Sequence, residues 1–311
     1  MVLNMIIKNR GLIFDPDKHD LGKRTYAQVP CAIKLKDRFR VFFAARREQR
    51  SSEILFVDFS LDFQQILWVQ NEPILKLGRN GAFDQNGTMP DDIVKIKEKF
   101  YLYYSGWGGS KQFPHTNEIG VAISEDNCKT FTKVAKNPIV SLNKGEPYSA
   151  SSGSIIINNG IFEMYYSSGV EWVKNGCSLE HNHDIKMATS KDGLNWSRNY
   201  QRLIEQRPDE SHARPVPIKV GGELGLIYCT RKKVNYRDGP GSYRLNYISR
   251  KESGEWIQRP EVTLPVSGKK WDSLMQAYPY FIQDNEKGYI LYNGNGFGQT
   301  GIGLLEMDIV K

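Results

Sequence analysis

The stretch MPDDIVKIKEKFYLYYSGW, from Met89 to Trp107, consists of an extended run, a charged turn and an aromatic strand that ends in small residues. This order of residues predicts a β-hairpin. Two adjacent acids, Asp91 and Asp92, stand directly after a proline at the start of the first strand. Successive side chains of a strand point to opposite faces, so at most one of these acids can face a shared centre. Whether such a centre exists depends on whether the stretch recurs along the chain.

Five copies of this pattern follow each other along the chain. Each copy begins at a proline or glycine, and an aromatic or apolar pair follows 12 to 14 residues later. The copies begin at Pro30, Pro90, Gly153, Pro215 and Pro279, which lie 60 to 64 residues apart. Copies three and four continue with a further strand, a turn and a terminal tryptophan. A period of about 62 residues accommodates four short strands and their turns.

The repeat predicts an all-β fold, a five-bladed β-propeller with four antiparallel strands in each blade. No long helical periodicity of apolar residues competes with this interpretation. We expect residues 1–311 to form a single domain of this kind. The leading segment around Leu12–Phe14 has no repeat of its own. We expect it to complete the last blade, because closing the ring leaves no exposed strand edge.

Composition places the chain among ordinary globular proteins. Of its 311 residues, 40% are hydrophobic and 25% are charged. No run of 18 apolar residues indicates a membrane span, and the N-terminus lacks the profile of a secretory signal. The four cysteines, Cys31, Cys128, Cys177 and Cys229, are far apart, which predicts reduced, buried thiols in a cytoplasmic protein. The net charge of +7 suits either an anionic ligand or a solvated surface.

One face of a propeller should carry the site, because the innermost strands start there and the second strands end there. The loops after the aromatic pairs of copies two, three and four are long and polar, which is typical of functional loops. Their polar groups can bind sugar hydroxyls, and their aromatic rings can stack on sugar rings. The predicted substrate-binding residues are Arg46, Trp107, Trp172, His183, Arg214, Arg231, Asp238, Tyr243, Tyr278 and Asn293. The same face should carry Gln28, His115, His181 and Arg237.

This pattern resembles the five-bladed propeller glycosidase superfamily of arabinanases and β-xylosidases, invertases and levansucrases, and mannoside phosphorylases. The resemblance covers most of the chain and rests on the blade rhythm and three motifs. The motifs are the opening stretch, SKDGLNW (Ser190–Trp196) and YNGNGFGQTGIG (Tyr292–Gly303). The chain is similar above all to glycosidase-like propellers of bacterial surface-polysaccharide clusters. The resemblance implies an enzyme that cleaves or transfers a glycosidic or sugar-phosphate bond, as a glycoside hydrolase or a phosphorylase.

The resemblance also implies where catalytic acids should stand. Arabinanase-like enzymes use a base before the first-blade proline, a second acid after the second-blade proline and a general acid on a later inner strand. Asp91 matches the second of these positions, whereas Val29 and Ser151 stand at the other two. One carboxyl must be protonated and another ionised, so their surroundings must differ. In phosphorylase-like relatives, phosphate replaces the base-activated water.

Two other acids are predicted to join Asp91 in proton transfer. Glu171 lies in the long loop of copy three, and Glu146 precedes the third anchor by seven residues. Glu146 also has a structural interpretation, because Asp84 and Asp272 stand at similar offsets in their own copies. The arginines have an alternative as well, since ion pairs between blades would occupy them. For Asn293 the alternative is turn geometry.

Metal and cofactor binding find little support in the sequence. Cys177, His181 and His183 form a C-x₃-H-x-H cluster, but this spacing matches no standard zinc site. We therefore predict a histidine that contacts a sugar at His183, no metal and no cofactor. The expected partner is a sugar, a glycan or a nucleotide sugar, and not a nucleic acid or a membrane.

Three functional hypotheses remain open. The first is an enzyme that uses carboxylates and arginines in the propeller funnel. The second is a non-catalytic propeller that binds sugars or nucleotide sugars, which Val29 and Ser151 favour by replacing two acids. The third is an interaction scaffold, against which the aromatic, acidic and arginine-rich face argues.

Overall fold

A computed structural model describes residues 7–47, 51–110, 112–220, 222–259, 262 and 264–309. Strands make up nearly all of the regular structure in these residues, and two short helical turns span Pro16–Lys18 and Asn295–Gly298. The all-β prediction is therefore confirmed. Within the described ranges, no helix is long and apolar enough to cross a membrane.

The strands form five antiparallel four-stranded units. Unit 1 contains β2 (Thr25–Lys34), β3 (Phe39–Arg46), β4 (Ser52–Phe59) and β5 (Ile66–Val69). Unit 2 contains β6 (Gly87–Ile96), β7 (Lys99–Gly108), β8 (Thr116–Ser124) and β9 (Thr132–Lys133). Unit 3 contains β10 (Ser149–Asn158), β11 (Ile161–Asn175), β12 (Ser178–Ser190) and β13 (Ser197–Arg198). Unit 4 contains β14 (Glu210–Val220), β15 (Glu223–Lys232), β16 (Arg244–Arg250) and β17 (Trp256–Gln258). Unit 5 contains β18 (Ala277–Asp284), β19 (Lys287–Asn293), β20 (Ile302–Asp308) and the first strand, β1 (Ile7–Phe14).

The N-terminal strand completes unit 5. β1 pairs antiparallel with β20, so the first and last strands lie side by side in one sheet. This pairing confirms the prediction for the leading segment. Units 1 and 2 are joined by a parallel bridge between Ser52 and Gly87, and units 2 and 3 by one between Asn117 and Ser149.

The inner strand of every unit carries a β-bulge at the predicted anchor. Two residues of the inner strand face one residue of the second strand, which is Phe43, Tyr104, Tyr166, Tyr228 or Tyr292. The first bulge residue is left-handed in four units, with φ between 53° and 57° at Val29, Ser152, Arg214 and Tyr278. A bulge bends the strand and changes the direction of its side chains. These residues therefore turn toward the axis that the five inner strands share, called the shared axis below.

Unit 2 differs from the other four in the order of its bulge residues. Its bulge pair is Pro90 and Asp91, as the flanking backbone pairs show. Asp91 therefore occupies the second bulge position, which in the other units belongs to Pro30, Gly153, Pro215 and Pro279. The sequence alignment of Pro90 with these four residues is wrong by one position, because it followed proline rather than backbone pairing.

Hydrogen bonds between neighbouring units hold the bulges in place. At four of the five junctions, a side chain near the end of the second strand accepts a bond from the first bulge N–H of the next unit. The pairs are Ser105 with Ser152 (2.9 Å), Ser167 with Arg214 (2.9 Å) and Asn293 with Val29 (2.7 Å). The Cys229 thiol accepts a bond from the Tyr278 N–H in the same way. Between units 1 and 2 the equivalent residues are Ala44 and Pro90. The alanine side chain cannot accept a hydrogen bond and the proline has no N–H to donate, so no group is left without a partner there.

Buried acid–tyrosine pairs stabilise three of the units. The tyrosine hydroxyls donate from Tyr104 to Asp84 (3.0 Å), from Tyr166 to Glu146 (2.8 Å) and from Tyr292 to Asp272 (2.9 Å). Each acid precedes its tyrosine by 20 residues. In units 1 and 4 the equivalent residues are Phe43, which has no hydroxyl, and Tyr228, which bonds to Gln258. The shared offset of the three acids thus corresponds to a shared structural partner.

The four cysteines are free thiols, but they differ in burial. Cys31, Cys128 and Cys229 are buried, whereas Cys177 is exposed in the turn between β11 and β12. The prediction of buried thiols is therefore wrong for Cys177. Its turn extends beyond the packed sheets, so its side chain has no core to enter.

Candidate active site

A cavity of about 200 Å³ lies on the shared axis, at the bulges of the inner strands and the ends of the second strands. This is the face on which the sequence places the site. Seven of the predicted site residues line it, namely Arg46, Asp91, Trp107, His183, Arg231, Tyr243 and Tyr278. Pockets for drug-sized ligands occupy roughly 300–1,000 Å³, so this cavity suits one sugar ring or a small anion.

Asp91 lines the cavity from the second bulge position of unit 2, although its side chain has 0% solvent exposure. Ser105 Oγ lies 2.8 Å from both carboxylate oxygens, and Arg214 Nη1 lies 3.5 Å from Oδ1. Burial raises the pKa of Asp91 from 3.8 to about 6, against the opposing effects of Arg214 and Ser105. Asp91 therefore exchanges a proton close to neutral pH, unlike an exposed aspartate.

Asp92 points away from the cavity and joins three units. Its carboxylate accepts bonds from the Tyr280 hydroxyl (2.7 Å) in unit 5 and from the Ile155 N–H (2.6 Å) in unit 3. Ser154 Oγ, also in unit 3, donates a third bond at 3.2 Å. The prediction that at most one of the two acids faces the centre is confirmed.

Arg214 is a fully buried cation that crosses the axis. Its guanidinium donates to the backbone carbonyls of Pro30 (3.1 Å), Pro90 (3.3 Å), Asp91 (2.8 Å) and Pro279 (3.4 Å). These carbonyls belong to units 1, 2 and 5, whereas Arg214 itself belongs to unit 4. The structure thus places Arg214 behind Asp91, outside the residues that line the cavity.

Histidine and tryptophan rings form one side of the site. Trp172 stacks on His181 with ring centroids 4.4 Å apart, and the centroids of His181 and His183 are 4.2 Å apart. Trp107 lies 4.5 Å from His115. Burial lowers the pKa of His115 to about 4 and that of His183 to about 3, so both imidazoles are neutral at pH 7.

Two wall residues of this ring cluster each carry a polar atom that lacks a partner. His183 Nδ1 and Trp107 Nε1 are buried and make no hydrogen bond to the residues that the structure describes. Unpartnered buried polar atoms are costly, so a ligand hydroxyl at these atoms would restore their hydrogen bonds. Although three imidazoles lie close together, the described residues contain no group of histidines, cysteines and acids arranged to hold a metal ion.

Two of the three arginines of the cavity wall, Arg46 and Arg231, are held by neutral partners. Arg231 lies 3.6 Å from the centroid of the Tyr236 ring, and its Nε donates to the Tyr243 hydroxyl at 3.0 Å. Arg46 Nε donates to Gln28 Oε1 at 2.7 Å. Aromatic rings and amide oxygens orient both guanidiniums without neutralising their charge.

The two glutamates predicted as acids lie outside the cavity wall. Glu146 is fully buried and pairs with Arg198 Nη1 (2.6 Å) and Lys186 Nζ (3.3 Å), besides its bond from Tyr166. The side chain of Glu171 is 39% exposed and pairs with Lys233 Nζ at 2.6 Å. Glu146 is therefore part of the framework of unit 3, and Glu171 lies on the surface beside the site.

Besides Arg214, three predicted substrate-binding residues lie outside the wall. Trp172 lies behind His181 and supports its ring. Asp238 is exposed in the loop between β15 and β16. Asn293 is fully buried, because its amide donates to the Ala27 carbonyl (2.6 Å) and accepts from the Val29 N–H. Its role in joining units 5 and 1 extends beyond the turn geometry that the sequence offered as an alternative.

Sequence reasoning missed several residues of the wall, among them Ser105, Ser167, Asn117 and Phe297. Asn117 lies at the start of β8, directly across the loop from the end of β7. That position was available from the hairpin pattern. Phe297 follows two glycines in the closing motif, where its left-handed backbone (φ 59°) turns the ring toward the axis. No sequence pattern marks such a turn for a phenylalanine.

The sequence of the chain is similar to that of two curated proteins. No model of a known protein family matches the chain. Two relatives from Mycobacterium tuberculosis are each 30% identical over 310 residues, covering 98% of this chain and 100% of the relative. They are Uncharacterized protein MT1551 of strain CDC 1551 / Oshkosh and Uncharacterized protein Rv1502 of strain ATCC 25618 / H37Rv.

Solved structures with a similar fold include several glycoside hydrolases. One structure of a glycoside hydrolase has a TM-score of 0.73 at 16% identity, covering 96% of this chain and 90% of that one. A thermostable family-43 glycoside hydrolase has a TM-score of 0.67 at 16% identity, covering 91% and 89%. A structure from the GH130 family of mannoside phosphorylases has a TM-score of 0.66 at 15% identity, covering 94% and 90%. The chain therefore belongs to the family of the two mycobacterial proteins and shares its β-propeller fold with these solved structures.

Proposed function

We propose that this protein is a carbohydrate-active enzyme that cleaves or transfers a glycosidic or sugar-phosphate bond in the axial cavity. The observation that carries the proposal is Asp91, a buried carboxyl on the cavity wall whose pKa is raised by burial to about 6. A group that titrates near the working pH is well suited to proton transfer. The resemblance to propellers of surface-polysaccharide clusters supports bacterial polysaccharide metabolism as the setting.

Asp91 is the proton donor in this proposal. When a glycosidic bond breaks, the departing oxygen gains negative charge, and a protonated carboxyl beside it lowers the barrier. The carboxyl transfers its proton to the departing oxygen while the acceptor attacks the anomeric carbon. Arg214, 3.5 Å behind Asp91, stabilises the carboxylate that remains. General acid catalysis of this kind contributes about 10²–10⁴-fold to the rate.

The ring cluster supports a sugar as the substrate. Trp107 and Tyr278 offer aromatic faces to the cavity, and sugar rings stack on such faces. The unpartnered His183 Nδ1 and Trp107 Nε1 can bond to hydroxyl groups. These groups fix the ring beside Asp91, which converts the reaction into one between positioned groups.

A second candidate function follows from the number of carboxylates. Among the described residues that line the cavity, Asp91 is the one carboxylate, whereas glycoside hydrolysis ordinarily uses two. This favours a non-catalytic propeller that binds a sugar or a nucleotide sugar. The two candidates differ in whether the Asp91 proton is needed for a chemical step.

NMR spectroscopy of the protein mixed with pooled glycosides and nucleotide sugars, with and without phosphate, separates the candidates. For an enzyme we expect a new anomeric signal, and Asp91→Asn should reduce its rate of appearance at least about 100-fold. Glu171→Gln is the matched control, because it removes a carboxylate from beside the cavity. If one sugar shows line broadening without conversion in any sample, the binding function is correct and the catalytic one is wrong.

A further inference from the structure

Arg231 carries a positive charge into the cavity wall without a carboxylate partner. Its side chain is buried, with 3% solvent exposure for the residue, and its bonds go to neutral oxygens of Tyr243, Asn182 and the peptide backbone. No acid among the described residues lies within ion-pair distance of it, whereas the buried Arg214 pairs with Asp91. A buried charge without a counter-ion is costly, so the site is incomplete as it stands.

Arg46 adds a second unpaired cation from the opposite end of the sequence. Its Nε is bonded to Gln28, and the guanidinium lies 4.6 Å over the Tyr26 ring. Neither partner is charged, and the described residues contain no carboxylate in ion-pair contact with it. Its two terminal nitrogens are therefore available to a ligand, and their planar geometry matches two oxygens of a carboxylate or phosphate.

The other ionisable groups of the wall do not offset these two charges. Arg237 is already paired with Glu180 at 2.9 Å. His115 and His183 are neutral, and Asp91 faces its own cation, Arg214. The described wall thus holds two positive charges in excess, from units 1 and 4, at one small cavity.

We propose that the axial cavity takes an anionic group, a phosphate or a carboxylate, held by Arg46 and Arg231. This inference rests on the proposed function, because it assigns the ligand class of the same site. The anion is either free phosphate that enters beside a sugar or an acidic group carried by the sugar itself. Its arrival neutralises the buried guanidinium of Arg231 and occupies the free nitrogens of Arg46.

The test measures the affinity of the intact protein for defined probes by isothermal titration calorimetry. The probes are inorganic phosphate, glucose 6-phosphate and glucuronate, with glucose as the neutral comparison. Arg46→Gln removes one cation from the wall. Arg47→Gln is the matched control, because it makes the same charge change at the next residue, whose side chain is 57% exposed, pairs weakly with Glu53 (3.7 Å) and lies outside the wall.

We expect at least one anionic probe to bind the unmodified protein and Arg47→Gln equally, and to bind Arg46→Gln at least about tenfold more weakly. Phosphate binding identifies a free co-substrate, whereas binding of the sugar-linked anions alone identifies an acidic sugar. Equal loss in both variants, or no preference for anionic probes over glucose, overturns the inference. Arg231→Lys keeps the charge but loses the planar bonding, so a weaker effect on affinity than in Arg231→Gln supports a role of the charge itself.

The fate of the proposed enzyme is decided separately. Turnover of a neutral glycoside without any anion binding supports the proposed enzyme and contradicts the anion site. Anion binding that depends on Arg46, without turnover of any glycoside, supports the anion site and contradicts the proposed enzyme.

Discussion

Asp91 in unit 2 and Glu146 in unit 3 are both carboxylates with 0% exposure, yet their surroundings differ. Glu146 has two cations and a tyrosine hydroxyl within hydrogen-bond or ion-pair reach, so its charge is fully compensated inside the protein. Asp91 has one guanidinium at 3.5 Å, one serine and the Gly153 N–H, and it borders a cavity. Burial therefore raises the pKa of Asp91 to about 6. Glu146 therefore joins parts of unit 3, whereas Asp91 is the carboxyl that borders the cavity.

The repeat distinguishes the structural acid, Glu146, from the acid that borders the cavity, Asp91. Glu146 has counterparts in two other units at the same offset, each bonded to an equivalent tyrosine. Asp91 has no counterpart, because the other four units place proline or glycine at its position. In a repeat fold, a position that recurs serves the architecture, whereas a polar residue found once needs another explanation. The predictions below test this distinction through the contrast between the two acids.

The largest expected effect is on stability at the recurring acid. Glu146→Gln leaves Arg198 and Lys186 without their carboxylate in a buried setting. Breaking a buried ion pair by removing one partner costs about 3–5 kcal/mol. We expect the free energy of unfolding at pH 7 to fall by that amount in urea denaturation. A loss below about 1 kcal/mol would show that the cluster is not a structural element, and the contrast with Asp91 would collapse.

The next effect is the pH dependence of stability at Asp91. Its pKa is raised in the folded state, so the ionised form is disfavoured by folding. The resulting penalty is absent below pH 3.8 and complete above about pH 6. A shift from 3.8 to about 6 corresponds to about 3 kcal/mol.

Asp91→Asn cannot ionise, so it should gain stability relative to the unmodified protein as pH rises. Because part of the penalty is already present at pH 4, we expect the difference in unfolding free energy to grow by about 2–2.5 kcal/mol between pH 4 and pH 7, in favour of the asparagine variant. Parallel urea titrations at the two pH values measure it. A constant difference across this range would mean that Asp91 ionises normally, which would contradict its assignment as a proton donor.

The sequence was sufficient to predict the fold and the face of the propeller that carries the candidate site. The period of about 62 residues reflects four strands per unit, and strand direction alone brings Trp107, Arg231 and Tyr278 to one end of the sheets. It was insufficient for the register at Pro90. Proline limits backbone angles but is compatible with either bulge position, so it does not fix which residue faces the axis.

The site residues that the sequence misplaced share a cause. Arg214 and Asn293 bond to backbone groups of other units, so their roles depend on which units meet at the axis. Glu171 follows a register shift in β11 that changes the alternation of its side chains, and Asp238 lies in the loop between β15 and β16. The first two positions depend on contacts between units and the other two on local chain geometry, and a repeat pattern in the sequence contains neither.

A smaller effect is expected at Ser105, which bonds both to the Asp91 carboxylate and to the Ser152 N–H of the next unit. Ser105→Ala removes the bond to Asp91 and the acceptor for the Ser152 N–H. We expect a loss of about 1–3 kcal/mol, because buried groups lose their partners. The pKa of Asp91 should also rise further, since a bond to its ionised form disappears. Carboxyl chemical shifts followed by ¹³C NMR measure that pKa directly.

Ser167→Ala is the matched control for this prediction. Ser167 also lines the cavity and accepts a bulge N–H, that of Arg214, but no bond joins it to Asp91. Both variants should lose stability, and only Ser105→Ala should move the titration of Asp91. An equal shift in both would assign the raised pKa to the general packing of the axis rather than to the immediate surroundings of Asp91.

The smallest effect is expected at Glu171, the acid that the sequence favoured as a partner of Asp91. Its side chain is 39% exposed and its ion pair with Lys233 lies near the surface, where such pairs contribute about 0–1 kcal/mol. We expect Glu171→Gln to change the unfolding free energy by less than about 0.5 kcal/mol and to leave turnover unchanged. If turnover instead falls as far as in Asp91→Asn while stability is preserved, the β11–β12 hairpin must bring Glu171 to the substrate during the reaction. The site would then use two carboxylates, and the distinction between one recurring and one unique acid would no longer explain its chemistry.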